Sequence, residues 1–126
     1  MFSHLNALLD GASLATCGEI VAAIQDWQGL VHTVSDRCFV NGAWRQSVIQ
    51  TLNDLATSNL IVEVELNELH RVFPSLTEED LPVRMEWLRQ DLRRAKNDLV
   101  ALQERLITVE EPWARLTVAE IQRLLE

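Results

Sequence analysis

The chain is short of most residue types from which catalytic and phosphate-binding loops are built. Its 126 residues include four glycines, three prolines, two cysteines, three histidines, no tyrosine and one lysine, Lys96. With so few glycines, set far apart, there is no phosphate loop or dinucleotide fingerprint; both need clustered glycines so that backbone N–H groups can approach the ligand. His4, His32 and His70 stand apart, and no His-x-x-x-His, Cys-x-x-Cys or His-Glu-x-x-His spacing occurs. A zinc site is therefore not written into any one segment. Ser13, Ser35 and Ser47 lack the glycine-flanked elbow of a nucleophile. Cys17 and Cys38 make no disulfide framework and suit a reducing interior as small apolar residues. No apolar run is long enough to span a bilayer, and Asp10 interrupts the only apolar stretch near the start, which has no basic segment before it. From these shortages we expect no catalytic residues, no cofactor, no bound metal, no membrane association and a cytoplasmic location.

What is present is acid and leucine. Apolar residues make up 48% of the chain, enough for a true core, and the formal net charge is −8. Such a chain is repelled by nucleic-acid backbone and by anionic membrane unless its basic residues cluster. The one cluster, Arg84, Arg89, Arg93, Arg94 and Lys96, is interleaved with Asp91 and Asp98 and reads as local ion pairing. Glu63, Glu65 and Glu68 read as a solvated face. Glu78, Glu79 and Asp80 suit the positive end of a helix dipole.

The clearest pattern is a heptad seam. Leu81, Met85, Leu88, Leu92, Ala95, Leu99, Leu102, Leu106 and Val109 are spaced alternately four and three residues apart, which keeps them on one stripe of an α-helix. Pro82 fits the first turn of that helix, and Glu110-Glu111-Pro112 ends it. The stripe must be covered, either within this chain or by another chain, and the sequence allows both. In a parallel pair Asp91 with Lys96 and Arg105 with Glu110 attract, whereas Arg84 with Arg89 repels. The flanking charges thus permit self-pairing without setting its direction. Trp87, Val100 and Ile107 lie off the seam and imply a second contact surface.

Around this helix the spacing predicts a mainly α protein in two parts. Residues 1–75 form a compact domain: a short helix over 2–10 ended by Gly11, a second opened by the capping box Thr16-Cys17-Gly18-Glu19 and stopped by Gly29, and a third from Asn41-Gly42 to Asn59. Between the second and third, Leu30–Val34 and Arg37–Val40 read as a short β-hairpin turning at Ser35-Asp36. Residues 60–66 fit both a strand and a helix, and the alternation of Leu60, Val62, Val64 and Leu66 favours the strand. Residues 76–126 form a coiled-coil or helical-hairpin segment, the long helix followed by a short one opened at Thr117.

With a clear seam and no catalytic constellation, we expect a non-catalytic protein–protein interaction or regulatory adaptor, acting as a homodimer or with a heteromeric protein partner. Its contact surface is expected to include Met85, Leu88, Leu92, Leu99, Leu102 and Leu106. Two rivals follow from the outline and the charge. One is a dimeric winged-helix transcriptional regulator, in which Arg37 and Arg45 are the only basic residues between Thr16 and Leu60. The other is an acidic protein that imitates DNA.

Overall fold

Helix accounts for all regular structure among the described residues, 3–11 and 17–125, of the computed structural model. The first helix, α1, spans Ser3–Leu9. Gly11 follows at φ 94°, a left-handed conformation that an ordinary side chain resists, and the Gly11 N–H bonds the Leu8 carbonyl at 3.3 Å.

The expected hairpin does not form. A single helix, α2, runs from Cys17 to Gly42. Its buried residues Ile20, Ile24, Trp27, Leu30, Val31, Val34 and Cys38 keep the three-and-four spacing through the segment that looked extended. Gly29 does not stop the helix. A glycine costs about 1 kcal/mol against alanine in a helix interior, less than the buried side chains on either side of it contribute. Asn41-Gly42 ends α2 rather than opening the next helix. Without strands among the described residues there is no wing, and the winged-helix outline falls with the hairpin. Thr16, the cap expected for α2, lies outside the described residues.

The second correction concerns residues 57–66. Thr57-Ser58-Asn59 was expected to close a helix, but α3 continues from Gln46 to Val72. The polar side chains that suggested an end are satisfied with the helix continuous, two by its own carbonyls and one by α2. Thr57 donates to the Asn53 carbonyl at 3.0 Å, Ser58 to that of Asp54 at 3.1 Å, and buried Asn59 accepts the Trp27 indole N–H at 2.8 Å. The alternation at 60–66 then has a helical explanation: Val62 faces inward while Leu60 and Val64 face solvent.

A 3₁₀ turn over Phe73–Ser75 contains Pro74 and leads to α4, Asp80–Ile107. The Thr77 hydroxyl accepts the Asp80 N–H at 3.2 Å, and Pro82 lies in the first turn as its missing donor allows. The last helix, α5, runs Pro112–Leu125. It starts five residues before the expected capping box. Thr117 is buried within it and donates to the Trp113 carbonyl at 2.6 Å.

Successive long helices pack on one another, α2 on α3 and α3 on α4, and α5 packs on both α4 and α2, closing a four-helix ring. The bond from Gln28 to Glu63 at 3.0 Å, the ion pair of Arg37 with Glu120 at 2.9 Å and the bond from Gln103 to Gln122 at 2.9 Å join three of the four seams. α1 also packs on α2 and α4. The boundary expected at residue 75 falls in the turn between α3 and α4, and one apolar core runs across it, from Leu5 and Trp27 through Leu55 to Leu99 and Ile121.

Candidate functional site

The heptad seam is spent inside this fold. From Met85 through Leu88, Leu92, Ala95, Leu99, Leu102 and Leu106 to Val109, no seam residue is more than 3% exposed, and Leu81 is half-buried. The elements packed against α4 are α3 and α5 along its length, with α1 contributing near Arg89 and Arg93. The six residues expected at an interface therefore lie in the core of the single chain.

Two arginines of the basic cluster beside the seam are likewise committed. Arg89, 8% exposed, donates through Nε to the Leu8 carbonyl at 2.6 Å and also bonds Glu86. Arg93 donates to the Leu9 carbonyl at 2.8 Å. Two cations thus hold the carbonyl end of α1, where the helix dipole favours positive charge. Arg37 is taken by Glu120 and by Thr117, and the Arg45 guanidinium lies 4.1 Å from the centre of the Trp44 ring.

The groups that sequence reasoning considered for chemistry stay apart. His32 and His70 are exposed, the His4 side chain lies outside the described residues, and among the described residues no three His, Cys, Asp or Glu side chains gather as a metal site. Cys17 is half-buried and Cys38 fully buried, both as free thiols. Burial pushes the Cys38 thiol up from 9.0 to about 11, with Arg37 pulling weakly downward. An open cleft between α2 and α5 is lined by Gln25, Asp26, Thr33, Glu120 and Arg123 over the bare backbone of Gly29.

Several large apolar side chains remain on the surface. Phe39, Val40 (79% exposed) and Trp44 flank the turn from α2 to α3, and Ile107 and Leu116 are exposed at the end of α4 and on α5. Leu60, Ile61 and Val64 (61%) are exposed on the outer face of α3, and Val83 and Trp87 (47%) near the start of α4. Off-seam Trp87 and Ile107 pointed to such surfaces from the sequence. Leu60 and Val64 did not, because a strand reading placed them on the same face as Val62 and Leu66.

The outer face carries an unbalanced charge group. Glu68 is paired with Arg71, which holds its carboxyl below the usual range. Glu65 has no such partner for Oε1, which is buried and accepts no hydrogen bond. Its carboxyl is raised, first by burial and then by Asp91, against the opposing pull of Arg84. Arg84 itself lies over the Trp87 ring, 4.9 Å from its centre.

No protein-family model, curated protein or solved structure matches this chain. No helix among the described residues is long and apolar enough to cross a membrane.

Proposed function

We propose that the chain is a non-catalytic protein–protein interaction module, an adaptor or regulatory subunit. The observation that carries this reading is the division of its apolar surface. The seam on α4 is consumed by folding, yet large apolar side chains stay exposed close together along the chain, Phe39, Val40 and Trp44 about the α2–α3 turn and Leu60, Ile61 and Val64 on α3. Grouped exposure of this kind marks association surfaces, whereas isolated exposed apolar residues are ordinary. Contact is made through these outward patches, while Met85, Leu88, Leu92, Leu99, Leu102 and Leu106 hold the fold together.

The test is light scattering of the purified chain over a wide concentration range, followed by co-purification from its source cells. Wild-type protein and the single variants Leu60→Asp and Phe39→Asp are compared. An oligomer or a defined protein partner that one substitution abolishes, with the helical signal unchanged, is the expected result. A strict monomer whose co-purifying proteins are the same in all three forms overturns the reading.

A further inference from the structure

We propose that α1 is an exchangeable element: two copies of this chain dimerise when each places its α1 in the seat that the other copy's α1 has left. This goes beyond the contact patches above and uses none of them.

The seat is defined by what fills it. The ring of α2, α3, α4 and α5 closes without α1, and α1 packs on α2 and α4, which stand diagonally across that ring. Leu5, Leu8 and Leu9 are buried there, none more than 6% exposed. They fall at i, i+3 and i+4, on one stripe of a helix. At the carbonyl end Arg89 and Arg93 of α4 donate to Leu8 and Leu9 at 2.6 and 2.8 Å. The seat thus recognises three leucines and a helix C-terminus, and every copy of the chain carries both. An empty seat would leave apolar walls in water, so an α1 that departs is replaced by another.

Charge admits α1 to a second copy. Each copy carries a net charge of −8, which opposes the approach of one acidic surface to another. Ser3–Leu9 contains no Asp or Glu, and the seat presents two arginines to the negative end of its dipole. The exchanged contact is attractive where most of the remaining surface repels.

The connection supplies a hinge. Gly11 holds φ 94° while α1 lies on its own copy, and its N–H donates to the Leu8 carbonyl at 3.3 Å. That turn is specific to glycine, whereas a connection extended toward a neighbour is open to any residue. Exchange of an identical element repeats each native contact between copies, which makes it a low-cost route to a dimer. With 7 residues α1 does not persist as a helix alone, and it stays available to a neighbour until the arginines of its own seat are in place.

The experiment uses the full chain. Isotope-labelled and unlabelled copies are mixed while unfolded, refolded at micromolar and at millimolar concentration, and separated by size exclusion with light scattering. In the dimer fraction, isotope-filtered NMR is expected to place the contacts of Leu8 with Arg89 and of Leu9 with Arg93 between copies. In the monomer fraction the same contacts lie within one copy. Gly11→Ala strains the closed turn and is expected to raise the dimer-to-monomer ratio by about threefold or more. Phe39→Asp and Leu60→Asp are expected to leave that ratio unchanged. Failure of both wild type and Gly11→Ala to dimerise at any concentration overturns the proposal, as does a ratio that Gly11→Ala does not raise. A dimer lost with Phe39→Asp or Leu60→Asp, its Leu8–Arg89 contacts within one copy, overturns it too, while leaving the interaction-module reading standing.

Discussion

The inner face of α4 and the outer face of α3 both carry large apolar side chains, and only the first is covered. Leu88, Leu92, Leu99 and Leu106 recur on a strict heptad and are fully covered by the chain itself. Leu60, Ile61 and Val64 are comparably apolar and stay in solvent. Each sits on a helix of nearly the same length, 28 and 27 residues. A heptad is therefore a statement about which stripe is covered, and not about who covers it. In this molecule the regular pattern belongs to folding and the irregular remainder stays outside the core.

The comparison breaks most directly at Leu99 and Leu60. Leu99→Ala is expected to lower the unfolding free energy by about 2–5 kcal/mol, and Leu60→Ala by no more than about 0.5 kcal/mol, both read from urea denaturation midpoints. Equal losses would mean that the two faces are not divided in this way. Next in size is Arg89→Met. It keeps much of the buried stem but removes the bonds to Leu8 and Glu86, at about 1.5–3 kcal/mol, and hydrogen exchange of the α1 amides should accelerate ahead of the rest.

Gly42 and Gly29 repeat the contrast within one helix. A Cβ on Gly42 would lie 2.8 Å from the Trp113 ring, whereas one on Gly29 meets nothing within 4 Å. Gly42→Ala is expected to cost about 1–3 kcal/mol with a shift in tryptophan emission.

Cys38 tests the dryness of the inner side. The folded thiol is held neutral up to about 11, but the unfolded chain ionises from 9.0. Its stabilising contribution is thus complete below pH 9 and is lost as pH rises toward 11. Between pH 8 and pH 10 wild type should lose about 1 kcal/mol more than Cys38→Ala; an identical loss in both would show that the site is wet. The smallest expected effect is a gain. Gly29→Ala should stabilise by about 0.4–1 kcal/mol in thermal or urea unfolding, and a loss there would reveal a neighbour over the α2–α5 cleft.

Much of α4 is legible in the sequence because one signal dominates it: the seam, the proline in its first turn and the acidic stop agree. α2 and α3 are misread for a shared reason. Gly29, Ser35-Asp36 and Thr57-Ser58-Asn59 are local turn signals, and local preference yields wherever buried residues on both sides continue one helical stripe. The hydroxyls of Thr57 and Ser58 and the Asn59 amide find partners only once the helix exists, so nothing local advertises them. The outer face is illegible for the complementary reason. Leu60 and Val64 look like core until Val62, Leu55 and Leu69 define which side of α3 is covered.

The arginine clamp on α1 has a consequence for the order in which the molecule can be assembled. Leu8 and Arg89 are separated by 81 residues, and Leu9 and Arg93 by 84. On a ribosome, α1 emerges long before the side chains that cap it, and its 7 residues are too few to persist as a helix alone. The α3–α4 hairpin closes over a short turn and meets no such delay. α1 is thus ordered later than the α3–α4 hairpin, its carbonyl end waiting on residues more than eighty positions further along the chain.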